Sequence, residues 1–190
     1  MIDALSFHEK VHDSDTIAAI STPLVPSAIG IIRVSGTKTL TVIEHIFKDT
    51  PSKVRDRYIK TCHAMDQDDN ILDECCYAFY KNPKSYTGED LLEIFCHGSL
   101  YIVKELIKLI TSIEGCRLAR NGEFTQRAFL NGKIPLSKAE SILDIIESNS
   151  QASHGIALNQ YKGKVYTTIG AARESILTVL QKIEATLEFP

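Results

Sequence analysis

Hydrophobic and polar positions change period several times along this chain, and each change predicts an element. Asp15 to Ser21 and Ile29 to Ser35 are Ile- and Ala-rich runs separated by Thr22-Pro23-Leu24-Val25-Pro26-Ser27, a pattern of two core strands joined by a turn. Past Gly36, Leu40, Ile43 and Phe47 with Val42 and Ile46 recur at helical spacing and stop before Pro51, which predicts a crossover helix. Tyr58 to Met65 and Ile71 to Tyr80 then alternate on either side of Asp66-Gln67-Asp68-Asp69-Asn70, the pattern of a hairpin. A polar loop from Pro83 to Asp90 leads into a short apolar strand, Leu91 to Cys96, closed by His97-Gly98. Ser99 is placed to cap a helix through Glu114, whose Ile102, Leu106, Leu109, Ile110 and Ile113 share one face, and Gly115 ends it.

The remainder reads as helix. Residues 117–147 are RLARNGEFTQRAFLNGKIPLSKAESILDIIE, in which Arg117, Arg120, Arg127, Lys133 and Lys138 accompany Glu123 as the one carboxylate among them. Ser137 and Glu140 have capping-box spacing, and Ala139, Ile142, Leu143 and Ile146 follow at helical intervals, so this is a basic loop held on a rigid helix. Farther on, Val165, Ile169, Ala172, Ile176, Val179, Ile183 and Leu187 alternate spacings of four and three, the seam of a bundle or coiled coil. Read as one helix from Ser153 to Leu187, the segment would be about 50 Å long, and its seam needs further helices or another copy. The expected architecture is an α+β domain over residues 1–118, a mixed sheet with helices, followed by an incomplete α-helical bundle over 119–190.

Composition adds bounds. With 190 residues, 44% hydrophobic content and a net charge of −3, the chain is an ordinary soluble globular protein, and nucleic-acid contact would have to come from a local patch such as 117–138. The amino-terminal MIDALSFHEKVHDSD has no apolar core, and no run approaches the roughly 18 apolar residues of a membrane span, so a cytoplasmic protein with no membrane association is expected. Cys62, Cys75, Cys76, Cys96 and Cys116 lack C-x-x-C spacing and the histidines are scattered; reduced structural thiols and no metal site follow.

Two strand positions are chemically odd. Glu93 shares a strand face with Leu91 and Phe95, and Arg33 is embedded likewise in Ile31-Ile32-Arg33-Val34-Ser35. Such an acid and base pair with one another, lie on a solvated face, or await a ligand.

Several strings in the chain carry a resemblance. DTIAAISTP, AIGIIRVSG, SYTGEDLLEIFCHG, NGEFTQRAFLNGK, KAESILDII and LEFP together resemble the MnmE/TrmE family of tRNA-modifying GTPases over nearly the whole length. That resemblance implies a first domain similar to the folate-binding domain of the glycine-cleavage T-protein. By motif it assigns binding of 5-formyltetrahydrofolate or 5,10-methylenetetrahydrofolate to Arg33, Glu93 and Lys133; beside them Tyr86 and Phe95 offer either stacking surfaces for the ring or ordinary core aromatics. It implies a homodimer formed through the first domain. In the complete protein it also implies work with the flavoprotein MnmG (GidA) on carbon 5 of the tRNA wobble uridine, the aminomethyl or carboxymethylaminomethyl modification.

Where the family carries a turn of the kind T-P-P-G-R-G, this chain has Thr22-Pro23-Leu24-Val25-Pro26-Ser27. The family's GTPase domain, which uses GTP with Mg and K, and its carboxy-terminal cysteine motif have no counterpart here. Gly163-Lys164 is followed by Val165 and completes no P-loop, so no catalytic residue is assigned. A stand-alone folate-dependent aminomethyltransferase and a non-catalytic dimerisation module are the alternative readings.

Overall fold

The computed structural model describes residues 15–188; residues 1–14 of the amino-terminal stretch and the last two residues of LEFP lie outside the described residues. The chain divides into two compact units, one ending at Lys133 and the other beginning at Ile134.

The first unit is an α+β fold on a six-stranded sheet. Its strands are β1 (Thr16–Ile20), β2 (Ser27–Ser35), β3 (Ile59–Met65), β4 (Ile71–Tyr80), β5 (Leu91–Gly98) and β6 (Cys116–Leu118), in the order β3-β4-β5-β2-β1-β6. All neighbours are antiparallel except β1 and β6. Helices α1 (Thr39–Phe47) and α2 (Leu100–Thr111) pack on the sheet. Alternation sends Ile32, Val34, Tyr77, Phe79, Leu92 and Ile94 into one core with Val42, Ile43, Ile46, Leu106 and Ile110 of the helices. The crossover expected of the first helix belongs to the second. β2 and β3 run antiparallel, whereas α2 links β5 to β6, which run the same way with two strands between them.

On the opposite face the pairing lines up Ala19, Arg33, Glu93, Ala78 and Ile59 in one row across five strands. The loop 81–90 and a short helix, α3 (Glu123–Leu130), reach this row. Helix α3 moves the boundary from the expected 118 to 133: it carries Arg127 and Asn131 into bonds with Glu89 and with the carbonyl of Thr87, so it belongs to the sheet domain.

The second unit contains α4 (Leu136–Glu147), α5 (Gln151–Tyr161) and α6 (Lys164–Glu188). Two expectations are corrected. Helix α4 starts on Pro135 with no side-chain cap, and the reciprocal capping box forms instead at Ser150 and Ser153. The long final helix is two helices, broken at Gly163, whose φ of 73° is a left-handed conformation that an L side chain resists. Ile169, Ile176, Val179, Ile183 and Leu187 of the seam are all more than half exposed.

Candidate ligand-binding site

Cross-strand register creates the centre of the site. Arg33 and Glu93 stand directly opposite on β2 and β5, and opposite charges at such a position attract across the ladder. The Arg33 guanidinium donates to Glu93 Oε1 from Nε at 3.1 Å and from Nη2 at 2.7 Å. Of the three alternatives left open by the sequence, the structure shows the pairing. The pair is nonetheless accessible, with side chains 30% and 18% exposed. Tyr80 donates its hydroxyl to Glu93 Oε2 at 3.3 Å. Burial, reinforced by the Glu93 charge, pushes the Tyr80 phenol above its ordinary value, so it is a donor at neutral pH.

Two rings frame the guanidinium. Its carbon lies 5.4 Å from the Tyr86 ring centroid and 5.9 Å from that of Phe124, a cation–π arrangement. Tyr86 comes from the loop 81–90 and Phe124 from α3, and the two segments are joined by a 2.9 Å hydrogen bond between the Tyr86 and Thr125 hydroxyls.

The loop is pinned at several points. Thr87 is buried and shares a 2.7 Å hydrogen bond with Ser35 of β2, which also donates to Glu89 Oε2. Arg57, in a left-handed backbone conformation, donates to the Lys84 carbonyl. Lys133 donates from Nζ to the Pro83 carbonyl at 2.7 Å. Gly88 has a φ of 82°, and a Cβ there would lie 3.2 Å from the Lys133 stem. Lys133 thus meets the loop that carries Tyr86, not the Arg33–Glu93 pair. Phe95 lines a separate concavity of about 430 Å³ with Ile29, Thr61, Cys76 and His97.

Helix α3 is held by ions. Glu123 accepts from Arg117 at 2.6 and 2.9 Å, from Arg127 at 3.1 Å and from the Arg120 N–H at 2.7 Å. The Arg117 bonds, with those from Arg120 and Arg127, outweigh burial and hold its carboxyl at about 2. Arg117 also bonds Asp15, and Arg127 bonds Glu89 and the Asp15 carbonyl. Two of the five cations of the expected basic loop over 117–138, Arg117 and Arg127, are therefore committed to an internal ion network, because Asp15 and Glu89 arrive from distant parts of the chain. Lys138 lies over the Tyr161 ring at 4.2 Å.

Tyr80, Glu89, Phe124 and Asp15 were not identified as parts of this arrangement from the sequence. Only Glu123 and Arg127 carried a usable signal, their spacing of four on a helix.

The chain has clear relatives. Residues 16–133 match the family model described as GTP-binding protein TrmE N-terminus, and 136–190 match that of the MnmE helical domain. The tRNA modification GTPase MnmE of Fervidobacterium nodosum is 45% identical over 92% of this chain and 39% of its own length. Proteins of the same name from Clostridioides difficile and Flavobacterium johnsoniae are 43% and 42% identical over 93% of the chain, covering 39% and 38% of theirs. The chain thus spans about two fifths of the curated relatives it matches.

Proposed function

This chain belongs to the TrmE/MnmE family, and from that membership we propose that its first unit binds a one-carbon tetrahydrofolate through Arg33 and Glu93, with Lys133 holding the loop over the ligand. The observation that carries this reading is the accessible Arg33–Glu93 pair ringed by Tyr80, Tyr86 and Phe124. These residues fit a pterin. A carboxylate has about four lone-pair positions; Arg33 uses two on Oε1 and Tyr80 one on Oε2. One acceptor position, on Oε2, remains for a ring N–H, and a second donor on the same ring edge would take the place of one Arg33 bond on Oε1. The aromatic side chains offer apolar surface to the flat ring. The cofactor, as 5-formyl- or 5,10-methylenetetrahydrofolate, supplies a one-carbon unit; the residues named here bind and orient it.

The wider reading follows the relatives, whose names join tRNA modification to GTP hydrolysis. In the complete protein, a GTPase domain using GTP with Mg and K would act with the flavoprotein MnmG (GidA) on carbon 5 of the tRNA wobble uridine, in the cytoplasm. The chain would form a homodimer through its first unit. Exposed Ile29 and Ile59 on strands of the sheet support that role, since such side chains favour burial against a partner. No helix among the described residues is long and apolar enough to cross a membrane.

Calorimetric titration with 5-formyltetrahydrofolate tests the reading. Binding by the native chain and its loss in Glu93→Ala are expected, with a nearly unchanged thermal midpoint, because a partly solvated pair contributes on the order of 1 kcal/mol. No heat with the native protein, or full affinity in the variant, would refute it.

A further inference from the structure

A second basic stretch lies at 53–60, Lys-Val-Arg-Asp-Arg-Tyr-Ile-Lys, and the structure gathers most of its charge in one place. A concavity of about 280 Å³ beside the edge strand β3 is lined by Lys53, Arg55, Tyr58, Lys60 and Tyr77. Its floor is rigid. Tyr77 is fully buried and donates its hydroxyl to Asp49 Oδ2, which also accepts from Lys60 Nζ. Asp49 thus offsets Lys60 directly and Lys53 more weakly, through space. Among the described residues Lys53 and Arg55 form no ion pair, and the Arg55 guanidinium lies 5.7 Å from the centroid of the exposed Tyr58 ring. Two cations and an aromatic ring therefore face solvent around a concave surface, on a protein whose net charge is −3. The stretch 117–138, by contrast, has its arginines at Arg117 and Arg127 committed to carboxylates.

We propose that this pocket docks the phosphodiester backbone of RNA, with Lys53 and Arg55 on phosphate oxygens and Tyr58 against a base or ribose. The chemistry is that of single-strand binders, which combine a cationic groove with an aromatic surface. Both cations are on exposed, adaptable side chains, which suits a chain of phosphates spaced along a strand more than one enclosed anion. The inference rests on the tRNA-modifying reading above but uses none of the folate-site residues.

The test is fluorescence anisotropy of a labelled tRNA transcript titrated with the 190-residue chain between about 50 and 200 mM salt. Native protein is expected to bind in low salt and to weaken steeply as salt rises. The double variant Lys53→Ala/Arg55→Ala should bind roughly tenfold more weakly, with the log–log salt slope reduced by about 2, one for each cation removed. Tyr58→Ala should weaken binding without changing that slope. The double variant should keep its 5-formyltetrahydrofolate affinity, so failure here is distinguishable from failure of the folate reading. No binding by native protein at the lowest salt overturns the proposal. So does an unaffected double variant, or a loss caused by Arg120→Ala/Lys138→Ala instead. Displacement of the transcript by inorganic phosphate, but not by chloride of equal ionic strength, would make the pocket a site for free phosphate and also overturn it.

Discussion

Replacing Glu123 by glutamine would put an amide where a carboxylate now sits between two guanidinium groups. The change keeps shape and volume but turns one acceptor oxygen into a donor facing Arg117 or Arg127. Its magnitude follows from proton linkage. A carboxyl held at about 2 against an ordinary 4.5 corresponds to about 3 kcal/mol of folding free energy at neutral pH. Solvent screens part of this at the chief partner Arg117, whose side chain is 28% exposed, and little at Glu123 and Arg127, at 7% and 9%; loss of one partner from a buried pair commonly costs about 3–5 kcal/mol. The sign is that of a depressed carboxyl: the contribution is complete above pH 4.5 and disappears as pH falls through about 2. Urea unfolding followed by near-ultraviolet circular dichroism should therefore show native protein about 3 kcal/mol more stable than Glu123→Gln at pH 7, with the gap closing at acid pH. A gap below about 1 kcal/mol at pH 7, or one that persists undiminished near pH 2, would refute the reasoning.

Two further outcomes are expected. Lys133→Ala removes the bond to the Pro83 carbonyl and the packing on Gly88, so amide exchange in residues 82–88 should accelerate by roughly tenfold, the equivalent of one hydrogen bond, and unchanged exchange would show that Lys133 does not hold the loop. Truncation after Ser150 should leave a dimer by light scattering, since the removed α6 presents a seam interrupted upstream by Gly163; a monomer would place the dimer contact in the removed helices.

Elements with a clean period were legible in the sequence, and paired chemistry was not. The alternation of Ile71 to Tyr80 and the helical stripe of Leu106 and Ile110 reappear as β4 and α2 because one face of each is buried. β6 was missed because three residues, Cys116 to Leu118, are too few to show a period. Arg33 and Glu93 were conspicuous as charges within apolar strands, yet their direct opposition depends on register, which a single strand does not display. The pairing of Arg117 and Arg127 within 117–138 was hidden for the same reason: two of their carboxylate partners, Asp15 and Glu89, lie far off in the chain. Tyr80 and Phe124 look like ordinary core aromatics until the sheet brings them to Glu93 and Arg33.

The parallel pairing of β1 with β6 matches Thr16 to Cys116 and thereby sets an order of events during synthesis. The hairpins β1–β2 and β3–β4 join neighbours in sequence and can close while the chain is still short. The β1–β6 seam closes a loop of about one hundred residues, the costlier kind of contact to form. Helix α3 follows that seam directly, and with it come Phe124 and the Glu123 ion network. A nascent chain therefore carries the Arg33–Glu93 pair together with Tyr80 and Tyr86 well before it carries Phe124, and that last ring of the site marks completion of the whole domain.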